Sequence, residues 1–176
     1  MLACVALCLA CSSAGSSRPP VSQSPFEQKS TPTAFKGRVI GITDGDTIRV
    51  LDPTNQDHKI RLQGIDAPER GQAFGTKSRQ NLSDLVFDKQ ITIEYSKRDR
   101  YGRLVGRVLL NGRDICLEQI KAGMAWHYKH YQGEQSPDDR KLYANAEEQA
   151  RAAGRGLWTD SNPWPPWEFR NGKLPH

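Results

Sequence analysis

Apolar positions in the middle of the chain fall into five short runs rich in β-branched residues. They are FKGRVIGI (35–42), TIRVLD (47–52), KIRLQGI (59–65), QITIEY (90–95) and LVGRVLL (104–110). Gly, Asp, Pro and Asn separate them, as expected of strands joined by turns. Asn111-Gly112 stands where a tight hairpin turn needs positive φ. Between the third and fourth runs, GQAFGTKSRQNLSDLVF (71–87) predicts a helix with Ala73, Phe74, Leu82 and Leu85 on one side. DICLEQIKAG (114–123) predicts a second helix. Ser136-Pro137-Asp138-Asp139 carries a helix-start signature, with Pro at the first helical position and acids near the positive dipole end. Leu142, Ala146, Ala150 and Ala153 follow at helical spacing, and Gly154 supplies a stop. The order is three strands, a helix, two strands and two helices. It predicts an α+β fold, a five-stranded OB-type β-barrel with about three packed helices.

The ends differ from this body. Residues 1–11 (MLACVALCLAC) are an apolar leader of about half the ~20 residues that a membrane-spanning helix takes. They match the apolar region of a secretory signal. CLACSS is similar to the lipobox of bacterial lipoproteins, with Cys11 as the lipidated first residue of the mature chain. Export is therefore expected, to the bacterial cell envelope as a lipoprotein tethered to the membrane through Cys11, or as a secreted protein. Residues 12–34 form a flexible Ser/Pro-rich linker, 35–160 the folded domain, and 161–176 a Pro/Trp-rich C-terminal tail of extended character. The tail's tryptophans are expected to dock on the domain.

Composition narrows the partners. The chain of 176 residues carries a formal net charge of +5, which favours polyanions, either nucleic acid or an anionic membrane surface. Three of the four cysteines lie in the leader, so Cys116 has no partner within the domain and reads as a small buried hydrophobe.

The chemistry concentrates in ITDGDTIRV (42–50) and KIRLQGIDAPER (59–70), where Asp44, Asp46, Asp66 and Glu69 lie among Arg49, Arg61 and Arg70. Carboxylates from Asp46 and Asp66, a nearby main-chain carbonyl and water make an all-oxygen donor set. That set suits Ca²⁺ or Mg²⁺ rather than Zn²⁺. The spacing is not that of an EF-hand. Asp44 reads as a turn cap. Arg61 alternates with Ile60 and Leu62, so it points away from their apolar face. SKRDRYGRLVGR gathers further arginines around a turn, and a guanidinium binds two phosphate oxygens at once. Glu69 follows Asp66 by three residues, with Pro68 stiffening the turn, and can orient a metal-bound water or take its proton. Taken singly, DGDT and DAPE are ordinary turn chemistry. Together they suffice for metal-assisted phosphodiester hydrolysis.

DGDTIRV, IRLQGIDAPE and DRYGR, followed by GMAW and a helix ending in GLW, resemble the thermonuclease (micrococcal or staphylococcal nuclease-like) family across residues 35–158. The resemblance implies an OB-type barrel and a Ca²⁺-dependent endonuclease for DNA and RNA, with little base specificity and 3′-phosphate products. Carried over by position, Asp46 and Asp66 match the calcium carboxylates. Ala67, which replaces a threonine, matches a residue that lends its main-chain carbonyl. Glu69 matches the catalytic glutamate, and Arg61 and Arg103 match the phosphate arginines. In AWHYKHYQ, rings that can stack on bases alternate with cations, and Tyr131 matches a nucleotide-packing tyrosine. His127 and His130, without an acidic partner, do not read as a metal pair. A monomer is expected. The competing reading is a non-catalytic OB-fold nucleic-acid-binding module on an envelope lipoprotein. Such a module has no chemical need for Asp46, Arg61, Asp66, Glu69 and Arg103 together.

Overall fold

Five strands close on themselves. In the computed structural model, which describes residues 33–172, they are β1 (Thr33–Asp44), β2 (Thr47–Leu51), β3 (Asp57–Leu62), β5 (Gln90–Arg98) and β6 (Leu104–Leu110), with a two-residue β4 (Ile65–Asp66) between. The leader with Cys11, the linker up to residue 32 and residues 173–176 lie outside the described residues. β1 begins at Thr33, two residues ahead of the expected domain start. Antiparallel pairs β3–β2–β1–β5–β6 form a sheet, and a parallel pairing of β3 with β6 closes the barrel. Closure leaves these strands no free edge. A register shift between Val39 and Gly41 breaks the alternation in β1, so Val39 and Ile42 both face inward. Ile48, Val50, Ile60, Leu62, Ile91, Ile93, Leu104 and Val108 complete the barrel interior.

Three longer helices cover the barrel. α1 (Gly75–Val86) starts four residues later than expected. Phe74 caps it in the left-handed region at φ 66°, and Gly75 packs so closely on the Glu69 carbonyl that a Cβ there would lie 2.1 Å from that oxygen. The inner face is Ser78, Leu82 and Val86, rather than one that includes Ala73 and Phe74. Past β6, Asn111 (φ 52°) and Gly112 (φ 79°) make the expected tight turn into β7 (Arg113–Asp114). Asp114 then caps α2 (Ile115–Lys121) by accepting from the Leu117 amide. Cys116 is fully buried in the core beside Ile115 and Ile120, and burial pushes its thiol far above the ordinary range.

β8 (Trp126–His127) pairs with β4, and α3 (Pro137–Ala152) follows with Ser136 as its cap. The buried stripe of α3 is Tyr143, Ala146, Glu147 and Ala150, displaced from the expected one, since Leu142 is 45 % exposed and Ala153 lies past the helix. Hydrogen bonds decide this rotation: Tyr143 donates to Asp114 Oδ2 at 2.7 Å, and Glu147 accepts from the His127 amide at 3.0 Å. A second apolar cluster of Trp126, Ala150, Leu157 and Trp158 receives Trp167 of the short helix α4 (Pro166–Phe169).

Candidate active site

The DGD turn is held from three sides. The Asp46 amide donates to Asp44 Oδ1 at 3.1 Å, so Asp44 does cap the turn. Leu62 of β3 donates its amide to the Asp46 carbonyl at 2.8 Å. Asp46 Oδ2 accepts from the Ala67 amide at 2.9 Å, and Thr47 Oγ1 donates to Asp46 Oδ1 at 3.0 Å. Gly45 lets α1 and α2 approach this turn. Gln119 Nε2 donates to the Gly45 carbonyl at 2.6 Å, and a Cβ on Gly45 would meet Ser78 Oγ at 1.9 Å and Ala67 Cβ at 2.8 Å. Gly45→Ala is therefore expected to cost about 1–3 kcal/mol through overpacking, read as a lowered urea midpoint with an unchanged slope.

Asp66, fully buried on β4, faces Asp46 across Arg61. Arg61 Nη2 donates to Asp66 Oδ1 at 2.8 Å and lies 3.1 Å from Asp46 Oδ2. Its Nη1 donates to the carbonyls of Leu62 and Ile65, both at 2.8 Å. One guanidinium thus braces both acids and the turn between β3 and β4. Barrel register explains the meeting, because Arg61 pairs with Thr47 across β2 and with Val105 across β6. Arg103 stands at the entrance to β6, held by Asp99, which accepts from its Nε at 2.7 Å and its amide at 3.0 Å. Arg103 Nη1 reaches Thr47 Oγ1 at 3.4 Å, so it is one hydroxyl away from Asp46.

The structure thus brings Asp46, Arg61, Asp66, Ala67, Glu69 and Arg103 to one end of the barrel. Tyr131 meets Tyr128 edge-on, with ring centroids 5.3 Å apart. It is 48 % exposed in the 3₁₀ turn 129–134, with Lys97 Nζ 5.3 Å from its ring centroid. Tyr128 lies closer to the acids: burial, then the negative charge of Asp66, raises the pKa of its hydroxyl. His127 is buried with Nε2 2.8 Å from Gln135 Oε1, whereas His130 is exposed.

Among the described residues no three His, Cys, Asp or Glu side chains converge as a ligand cluster. Asp46 and Asp66 are a carboxylate pair, and their oxygen chemistry fits a hard cation completed by main-chain and water oxygens. Charge supports the fit. Among the described residues, the ion pairs of Asp46, Asp66 and Glu69 are made by two guanidinium groups, those of Arg61 and Arg170, and Asp44 adds a further carboxyl beside Asp46. Burial, and then the charge of Asp46, raise the Asp44 carboxyl to about 7. A carboxyl raised in this way favours folding while protonated, and that contribution is lost as pH rises from about 4 towards 7. Without metal, Asp44→Asn should therefore leave stability at pH 4 nearly unchanged. At pH 8 it should raise it, by on the order of 1–2 kcal/mol after discounting for solvent reaching the group. Urea unfolding at the two pH values in chelator checks the sign.

Sequence comparison accords with this geometry. The family model described as "Staphylococcal nuclease homologue" matches residues 59–160. The chain belongs to the staphylococcal nuclease homologue family. An uncharacterized endonuclease of Haemophilus influenzae is 44 % identical over 133 residues, covering 76 % of this chain and 71 % of its own length. A micrococcal nuclease of Shigella flexneri is 42 % identical over 145 residues, 77 % of this chain and 80 % of its own. An uncharacterized endonuclease of Escherichia coli O157:H7 is 39 % identical over 138 residues, covering 78 % and 86 %.

Arg170 is the site residue that sequence reasoning missed. Its Nη2 donates to Asp66 Oδ2 at 2.8 Å and its Nη1 to Glu69 Oε1 at 2.6 Å and Asp66 Oδ1 at 3.2 Å. Gln72 was missed as well. Its Oε1 accepts from the Glu69 amide at 3.0 Å. The aromatic tail hinted at docking, but nothing in its composition indicated where the arginine would land.

Proposed function

We propose that this family member hydrolyses phosphodiester bonds in DNA and RNA as a calcium-dependent endonuclease with little base specificity, leaving 3′-phosphate ends. The nuclease names of the relatives support the hydrolytic class. The observation that carries the reading is the gathering of Asp46 and Asp66 around Arg61, with Glu69 joined to Asp66 through Arg170 and Arg103 one hydroxyl away.

In this reading Asp46 and Asp66 hold the cation, with the main chain at Ala67 beside them. Bound calcium supplies charge neutralisation at the phosphate. Glu69 orients a water and accepts its proton as the oxygen attacks phosphorus. Arg61 and Arg103 place positive charge against the equatorial oxygens, where it counts most in the transition state. The bond from phosphorus to the 5′-oxygen breaks, that oxygen takes a proton from solvent and leaves as the 5′-hydroxyl, and phosphate stays on the 3′ side. Tyr131 and its neighbouring rings offer stacking surface to an unstacked strand.

Localisation belongs to the same proposal: export to the bacterial envelope, with lipid on Cys11 as tether and the enzyme acting as a monomer. Fatty-acid labelling that vanishes in Cys11→Ser supports the tether, and persistent labelling refutes it. For the chemistry, heat-denatured DNA and RNA are incubated with the protein and calcium. The products should resist extension by a polymerase until treated with phosphatase. Fragments that extend directly would contradict 3′-phosphate formation.

A further inference from the structure

The C-terminal segment reaches the acid cluster from about a hundred residues away in sequence. Its anchors are apolar. Pro166 is buried, and Trp167 stacks on Tyr128 at 5.7 Å and meets Trp126 edge-on at 6.1 Å. One turn later Arg170 delivers its guanidinium to Asp66 and Glu69. Among the described residues, Arg170 is the only group bonded to the Glu69 carboxylate, which sits on a loop and is partly exposed. A second link runs through Gln72, which accepts from the Glu69 amide and donates through Nε2 to the Trp164 carbonyl. Both the side chain and the main chain of Glu69 are therefore tied to the same segment.

We infer that Arg170 is a positioning residue for the proposed hydrolysis. It holds the Glu69 carboxylate against Asp66 at the angle from which it meets the attacking water, while Gln72 fixes the loop beneath. This rests on the nuclease reading of the site. Two observations separate it from a removable plug over the metal acids. Arg170 bonds both Asp66 oxygens and Glu69 Oε1 but makes no bond to Asp46, so Asp46 stays clear of it. Trp167 against Tyr128 and Trp126, with Pro166 buried, also anchors the main chain from which Arg170 reaches the acids. The guanidinium acts at fixed geometry, where a fork can hold two carboxylates and an ammonium cannot reproduce both contacts.

The test compares the full chain with Arg170→Ala, Arg170→Lys, Glu69→Gln and the double variant Glu69→Gln/Arg170→Ala on a single-stranded DNA oligonucleotide in calcium. Arg170→Ala should lower kcat by about 100-fold, the cost of a displaced catalytic group, with KM changed less than about threefold. Arg170→Lys should fall between it and the parent. In the Glu69→Gln background the same change should slow the reaction by less than about threefold, because the group it positions is already gone. A parental kcat, a loss confined to KM, or losses that simply multiply in the double variant would overturn the inference. So would faster cleavage with tighter calcium binding, the signature of a plug. Urea unfolding of Arg170→Ala, Glu69→Ala and their double variant in chelator gives a readout without metal or activity: the two single changes should be non-additive, and strict additivity would deny the contact. If the parent itself cleaves nothing, the nuclease reading fails and the positioning role falls with it. The unfolding cycle then still decides whether Arg170 and Glu69 are coupled.

Discussion

Glu69→Gln is expected to lower calcium-dependent cleavage of single-stranded DNA by about 10²–10⁴-fold, the usual contribution of a positioned acid or base. Its melting temperature and calcium affinity should stay near those of the parent. The side chain is partly exposed and bonds only to Arg170 among the described residues. Gln keeps an acceptor for that bond, so little structure is lost. What disappears is the ability to accept a proton from water. Steady-state kinetics beside calorimetric calcium binding separates the outcomes. Loss of calcium binding in step with activity would move Glu69 from proton acceptor to metal ligand.

The two arginines proposed to meet phosphate should behave differently from one another. Arg103 pairs with Asp99, reaches Thr47 Oγ1 only at 3.4 Å and stands partly in solvent, so Arg103→Ala should fold normally and lose rate, by about 10²–10³-fold for one charge-stabilising group. Arg61 also braces Asp46, Asp66 and the carbonyls of Leu62 and Ile65. Arg61→Ala removes the cation shared by two buried acids, leaving Asp46 without an ion pair and Asp66 with Arg170 alone, and should cost about 3–5 kcal/mol of stability in addition to activity. Denaturant unfolding of the two variants side by side checks the contrast. Equal stability in both would mean that Arg61 is no brace.

Much of this site was legible because its parts are local. DGDT and DAPE are turns whose residues can be read in order, and β-branched runs with polar turns predict strands that bring them together. The Ser136 cap and the Asn111-Gly112 turn obey backbone rules that need no tertiary context. The errors lie where distant packing decides. α1 begins at Gly75 because the helix start packs against the Glu69 carbonyl, which no periodicity reveals. α3 turns Tyr143 and Glu147 inward because Asp114 and His127 offer them hydrogen bonds, so two polar groups displaced the apolar stripe that spacing alone favours. Arg170 is the extreme case. An arginine among Pro, Trp and Phe looks like a solvated tail, and its place depends on Trp167 finding Tyr128 and Trp126 on another element.

The central claim is that Asp46 and Asp66 hold a calcium ion that the cleavage requires. The direct measurement is cleavage of heat-denatured DNA by the purified chain across a calcium titration, with chelator and with Asp66→Asn as controls. Activity should rise and saturate with calcium, vanish in excess chelator, return when calcium is restored, and be lost in Asp66→Asn. Undiminished cleavage in chelator, or parental activity in Asp66→Asn, would contradict the account.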